Sequence, residues 1–166
     1  MKQFDAKKIL VVGCPGSGKS TFSRKLREAT GLPLYYLDML FHRPDRTTAP
    51  REEFDAALAE IIAKDEWIID GTYLRTLPMR LAACDTVFLF DLPLDLCLEG
   101  AASRIGTDRE DMPWTEPELD PDFRQYIIDF PTDQLPRMRE LLEGLSPAQL
   151  ITFTSRAQAD EFIASL

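Results

Sequence analysis

Cysteine, histidine and uninterrupted apolar sequence are all scarce in this chain of 166 residues. Cys14, Cys84 and Cys97 are odd in number and form no Cys-x-x-Cys pair, which argues against a disulfide framework. With His42 as the single histidine, a Cys/His zinc site is short of ligands. The longest strongly apolar stretch, Thr86 to Leu98, is broken by Asp91, Pro93 and Asp95 and cannot span a bilayer. Lys7 and Lys8 precede Ile9-Leu10-Val11-Val12, but four apolar residues ending at Gly13 are too few for a secretory leader. The expectation is a cytoplasmic protein without a membrane partner. Basic residues are also outnumbered, 19 against 28 acids, for a formal charge of −9. That balance argues against direct nucleic-acid binding, whose affinity comes mostly from Lys and Arg displacing counterions. The acid is uneven: residues 108–122 hold seven carboxylates against Arg109 alone, so a basic pocket elsewhere is still allowed.

At 45% hydrophobic and 28% charged, the composition is that of a globular protein with one core, and no linker or internal repeat divides residues 1–166. Five short apolar runs stand out: 8–12, 34–37, 67–69, 86–90 and 149–153. Runs of this length without polar alternation read as strands buried on both faces. Helical patterns lie between them. Lys19 to Thr30 ends at Gly31-Leu32-Pro33, and Pro50 opens a helix to about Lys64 with Phe54, Leu58, Ile61 and Ile62 on one face. A third runs from about Leu94 to Arg104, and Ser155-x-x-Gln158 reads as a capping box for the last. Strands alternating with helices predict one α/β domain with a mostly parallel sheet.

Gly13-Cys14-Pro15-Gly16-Ser17-Gly18-Lys19-Ser20, followed by Thr21, is a complete G-x-x-x-x-G-K-[ST] between a strand and a helix. Its backbone N–H groups form a nest for phosphate oxygens, supported by the positive end of the following helix. Lys19 is expected to reach the β- and γ-phosphates of ATP, and the Ser20 hydroxyl to ligate Mg²⁺.

Further strings extend this. Leu37-Asp38-Met39-Leu40-Phe41-His42-Arg43-Pro44, Arg51-Glu52-Glu53-Phe54, Trp67-Ile68-Ile69-Asp70-Gly71-Thr72-Tyr73 and Asp85-Thr86-Val87-Phe88-Leu89-Phe90-Asp91-Leu92-Pro93 together resemble the adenylate-kinase-related family of DNA topology modulation proteins. Ser155-Arg156 and Glu161-Phe162 fit the same pattern, and residues 105–148 match least. The resemblance implies a P-loop NTPase fold like that of nucleoside monophosphate kinases, a five-stranded parallel sheet in order 2-3-1-4-5. It also implies an acceptor-binding segment at about 38–65 and a lid at about 104–123.

Asp38, Asp70 and Asp91 each follow a strand-like run, at the carboxyl ends of the strands where open α/β sheets bind ligands. Asp38 orients or deprotonates an acceptor hydroxyl on one reading, and is a turn carboxylate or helix cap on the other. Asp70 ends a Walker-B-like run and is the candidate second metal residue, with a strand-end turn as the rival. Asp91 is read as a cap or structural group. Gly71 lets substrate approach the backbone.

Phosphoryl transfer needs positive charge around the moving group. Arg104 stands eleven residues after Pro93, where the resemblance implies a lid-base arginine on the nucleotide phosphates, and Arg109 is a second candidate. A solvated surface role is the alternative for each, and for Arg109, the one base among seven acids, an internal ion pair is a further rival. His42 and Arg43 lie in the segment expected to hold the acceptor. Met112, Pro113 and Trp114 either cover the site or anchor the loop. Two departures from the resemblance matter. Gly100 stands where an arginine would stack on adenine, and Leu74 stands where one would contact an acceptor phosphate, with Arg75 one residue further on. The sequence therefore predicts a P-loop kinase that uses ATP and Mg²⁺ on a small-molecule acceptor. A nucleotide-binding regulator of DNA topology or of a protein partner is the alternative. Oligomeric state is left open.

Overall fold

The computed structural model describes residues 4–145 and 149–166. Strands β1 (Lys8–Gly13), β2 (Leu34–Tyr36), β3 (Trp67–Asp70), β4 (Thr86–Phe90) and β5 (Gln149–Phe153) form one sheet in order β2-β3-β1-β4-β5. Every pairing is parallel. Helices intervene: α1 (Lys19–Thr30), α2 (Leu37–Phe41), α3 (Arg51–Ile62), α4 (Leu77–Ala83), α5 (Leu94–Ser103), α6 (Pro121–Asp133), α7 (Leu135–Leu145) and α8 (Arg156–Ala164). Both the α/β fold and the strand order agree with expectation.

Burial explains why the apolar runs form strands. Ile9 to Val12, Trp67 to Ile69 and Val87 to Phe90 are essentially inaccessible, as central parallel strands covered on both faces must be. The β5 edge is largely exposed until Phe153. Phe22 of α1 fixes one helical layer on the sheet, its ring centroid 4.9 Å from that of Phe88 and 5.3 Å from that of Phe153. Phe162 of α8 joins the cluster at 5.1 Å from Phe88. Each large ring buried this way contributes on the order of 2–3 kcal/mol.

Three local details differ from the sequence reading. The second strand stops at Tyr36, and Leu37 opens α2, so Asp38 sits in the first turn of a short helix instead of ending a strand. Asp91 does not cap α5, whose N-cap position is Pro93, but is a structural group as the other half of its reading expects, paired with Arg139 of α7. The poorly matched stretch 105–148 contains two helices, α6 and α7, whose Ile127, Phe130, Met138 and Leu142 are buried. Ser155 does cap α8, accepting from the Gln158 N–H at 3.2 Å. The chain between Ser103 and Pro121 carries no helix or strand and arches over the carboxyl ends of the strands, where it lines the cavities described below.

Candidate active site

The turn between β1 and α1 is held by contacts that leave no room for side chains. Gly13 has φ 145°, and a Cβ there would collide with the Phe90 carbonyl oxygen. Thr72 locks it from the other side, its hydroxyl accepting from the Gly13 N–H at 3.1 Å and donating to the Gly13 carbonyl at 2.7 Å. Gly16 has φ 81° and lies directly on α5, where a Cβ would run into the Cys97 carbonyl. Gly18, at φ 103°, occupies the N-cap of α1 and supplies no side-chain cap. The α1 N-terminus thus lacks the side-chain acceptor a helix of this kind usually has, and it fits an anion. The buried Ser17 hydroxyl has no partner among the described residues.

Two cavities meet at this turn. The first, about 620 Å³, runs past Gly16, Thr21, Arg24, Glu99, Gly100 and Arg156. The second, about 790 Å³, opens toward Asp38, His42, Asp70, Gly71, Tyr73 and Trp114, with Gly13 and Pro15 in its wall. Lys19, Ser20, Arg104, Arg109 and Asp111 line both. The two chambers therefore share one charged wall, built from the phosphate loop and the loop after α5.

Asp70 is the last residue of β3 and is 5% exposed. Its register opposite Val11 on one side and Tyr36 on the other sets it deep at the strand ends. Burial pushes its carboxyl up to about 6, a rise that Lys19 opposes and Asp38 reinforces. Its Oδ2 atom is buried without a hydrogen-bond partner among the described residues. An orphaned carboxylate oxygen beside Lys19 and Ser20 fits a divalent cation, which would satisfy the acceptor and offset the desolvation. Among the described residues no group of three His, Cys, Asp or Glu side chains is set to hold a metal unaided.

Asp38 reaches the second cavity from α2, and its Oδ1 accepts from the Tyr73 hydroxyl at 2.5 Å. Tyr73 carries a positive φ of 36°, which is strained for a large residue. Arg80 of α4 holds it there. This arginine is fully buried and donates to the carbonyls of Gly71 (2.9 Å), Thr72 and Tyr73 (3.0 Å), and no salt bridge pairs it with a carboxylate among the described residues. Burial lowers its guanidinium to about 9. Sequence reasoning missed Arg80, since a lone arginine on a short helix carries no motif.

The loop between α5 and α6 brings both predicted arginines to the shared wall. Arg109 grips Asp111 with two hydrogen bonds, 3.1 Å from Nε and 2.8 Å from Nη2, and Arg104 lies 3.9 Å from the same carboxylate. Burial and then the Arg109 charge lower the Arg104 guanidinium, and its Nε atom has no partner among the described residues. For Arg109, burial pulls the other way, but the bonds to Asp111 prevail and its guanidinium is raised. Asp111 also accepts from the Ser20 hydroxyl at 3.2 Å. A buried carboxylate of this loop therefore holds Ser20 and Arg109 and lies beside Arg104.

The remaining predicted residues divide. His42 lines the second cavity, with its ring 5.4 Å from Trp114. Arg43 and Arg75 are not brought to either cavity. Arg43 is paired with Glu53, and Arg75 makes two bonds, 3.0 and 2.7 Å, to Asp55, both acids belonging to α3. Arg156 is a further residue of the first cavity, and it donates to the Gly16 carbonyl at 2.9 Å and to that of Leu96 at 3.0 Å. Its place at the α8 start was visible in the Ser155-Arg156 pair, but its reach to the phosphate loop was not.

A parallel sheet in order 2-3-1-4-5, with a phosphate loop after its central strand, defines the fold as that of P-loop NTPases of the nucleoside monophosphate kinase type. Solved structures agree. The shikimate kinase from Acinetobacter baumannii in complex with shikimate superposes with a TM-score of 0.63 at 19% identity, covering 96% of this chain and 92% of that one. The Bacteroides thetaiotaomicron shikimate kinase gives 0.61 at 14% identity, with 97% and 96% covered. The Aquifex aeolicus shikimate kinase gives 0.54 at 16% identity, with 95% and 94% covered. No protein-family model matches the chain, and no curated protein matches it in sequence. No helix among the described residues is long and apolar enough to cross a membrane.

Proposed function

We propose that this protein is a P-loop kinase that transfers the γ-phosphoryl group of ATP to a hydroxyl of a small acceptor. The observation that carries the reading is the shared wall: two cavities, each large enough for a small molecule, meet at Lys19, Ser20, Arg104 and Arg109. A phosphoryl group passed from one chamber to the other would cross there. The kinship to the adenylate-kinase-related DNA topology modulation family belongs to this reading, as do the roles that follow.

The phosphate-loop amides and Lys19 bind the donor phosphates, with the base end of ATP in the chamber lined by Gly100 and Arg156. Ser20 and Asp70 hold Mg²⁺, which when bound supplies charge neutralisation on the phosphates. Arg104 and Arg109 neutralise charge on the moving group. Asp38 orients the acceptor hydroxyl and takes its proton, with Tyr73 fixing the carboxylate. The acceptor oxygen bonds to the γ-phosphorus, the bond from that phosphorus to the β,γ-bridging oxygen breaks, and ADP leaves.

An ATP-consumption screen over hydroxylated metabolites, nucleosides and nucleotides tests this. An acceptor-dependent rate that Lys19→Ala reduces at least a thousandfold is expected. ATP binding without transfer to any acceptor would overturn the kinase reading in favour of a nucleotide-dependent regulator.

A further inference from the structure

The acceptor-side cavity carries a chemical signature of its own, and reading it rests on the kinase assignment above. Its walls are aromatic. Trp114, Phe123 and Tyr126 come from the lid and α6, and Tyr36 and Tyr73 from the sheet side. Phe123 and Tyr126 stack on one another, 6.5 Å between centroids at 12°, yet remain 37% and 40% exposed. Such flat apolar surface left accessible inside a cavity marks a ligand contact more often than a core defect. Trp114 is held in place: its indole N–H donates to Glu116 at 2.6 Å, and its ring packs on His42.

The charge in the same cavity is negative. Six carboxylates line it against four Lys and Arg side chains. Lys19, Arg104 and Arg109 belong to the wall shared with the donor chamber, so Arg46 is the one remaining cation among the lining residues. Its guanidinium is stacked 5.0 Å above the Trp114 ring. Against it stand Asp38, Glu116, Glu118 and Asp120. The two arginines nearest in sequence, Arg43 and Arg75, are paired with acids of α3 and do not reach the cavity. A phosphate or carboxylate on the acceptor would therefore find Arg46 alone outside the shared wall, already stacked on Trp114, and would otherwise lie among like charges.

We infer that the acceptor is an alcohol built on a flat or apolar ring that carries no anionic group, neutral or amine-bearing, in the size class of a nucleoside. The aromatic walls take the ring, the carboxylates take hydroxyl or ammonium donors, and Asp38 receives the hydroxyl that is phosphorylated. This departs from what the name of one structural neighbour describes, a shikimate kinase holding shikimate, whose ligand is a carboxylate.

The test uses the full chain with Mg²⁺ and ATP. Initial rates are measured for four nucleosides, their 5′-monophosphates, an amino sugar and shikimate. At least one nucleoside or amino sugar is expected to exceed every anionic compound a hundredfold in kcat/KM. Anionic compounds that match or exceed the uncharged ones overturn the inference while leaving the kinase reading intact. ATP binding with no phosphorylation of any compound overturns the kinase reading beneath it. Two sets of variants separate recognition from folding. Trp114→Ala is expected to raise KM for the best acceptor at least tenfold with KM for ATP within twofold of wild type, and Trp114→Phe to recover most of the loss. Arg43→Ala and Arg75→Ala are expected to leave the acceptor KM within twofold; a tenfold rise in either would show an anion held there and sink the inference.

Discussion

Burying Asp70 opposes stability and serves the site, and the conflict is measurable. Its carboxyl sits near 6 instead of the ordinary 3.8, because burial disfavours the charged form before any other influence. The folded chain thus prefers Asp70 protonated. The resulting penalty is absent below about pH 4, grows between 4 and 6, and is complete above 6; its upper bound is on the order of 3 kcal/mol. In urea denaturation with chelator present, Asp70→Asn is expected to be more stable than wild type at pH 7 by about 2–3 kcal/mol, with the gain gone at pH 4. The same variant should lose phosphoryl transfer. A variant equally stable at both pH values would place Asp70 in a less demanding environment than its burial indicates. Asp70 was legible in the sequence as a strand-end acid. Asp38 was legible as an acid of the site, but not its setting in the first turn of α2, because three strand residues followed by a five-residue helix carry no periodicity to read. Arg43 and Arg75 misled for another reason: sequence separation placed them near the site, but their direction depends on Glu53 and Asp55 of α3, which only the fold brings alongside.

At the scale of elements, α5 and the loop that follows it frame the phosphate loop. Gly100 of α5 faces the phosphate loop so closely that a Cβ would overlap the Gly16 carbonyl and crowd the Arg156 guanidinium. The missing adenine-stacking arginine is thereby explained, since no side chain fits at that point of the helix. Helix propensity alone would reward Gly100→Ala by about 1 kcal/mol. The collision predicts the opposite: a loss of about 1–3 kcal/mol by thermal denaturation, and a KM for ATP raised about tenfold as the loop shifts. Lid residue Asp111 gives a second test. Its carboxylate engages Ser20 and Arg109 directly and lies 3.9 Å from Arg104, so donor phosphates must compete with it. Asp111→Asn keeps the shape and removes the charge, and the dissociation constant for ATP by calorimetry should fall about fivefold, roughly 1 kcal/mol. Weaker binding would instead mean that Asp111 orients the arginines. The sequence showed the seven acids of this stretch and the lone Arg109, but not that Asp111 turns inward while its neighbour Glu110 takes Tyr36 and Arg27. Helices α6 and α7 were hidden for a plain reason. They carry Pro121, Pro131 and Pro136, a residue that weakens a helical pattern, yet two of these stand at helix starts and Pro131 is tolerated within α6.

For the molecule as a whole, an excess of nine negative charges and the local cluster of Lys19, Arg104 and Arg109 make opposite demands on an anionic ligand. The global charge repels any polyanion at long range, an effect that salt screens within about 10 Å. The wall attracts a polyphosphate small enough to enter the chamber, and there it is shielded from salt. ATP and DNA are therefore predicted to behave differently toward the same folded chain. At a hundredfold excess of Mg-ATP over its dissociation constant, linkage stabilises the native state by about 2.7 kcal/mol. For a domain of this size that corresponds to a rise in Tm of roughly 5–10 °C. Lys19→Ala should abolish the rise while leaving the ligand-free Tm nearly unchanged, because Lys19 lies at the surface of the phosphate chamber and not in the core. Duplex DNA at about 0.15 M salt should produce no shift and no change in fluorescence anisotropy, since few cations are available to displace its counterions. A DNA-induced shift of the same size as that with Mg-ATP would reverse the order of the two readings and make nucleic acid the partner that the phosphate wall serves.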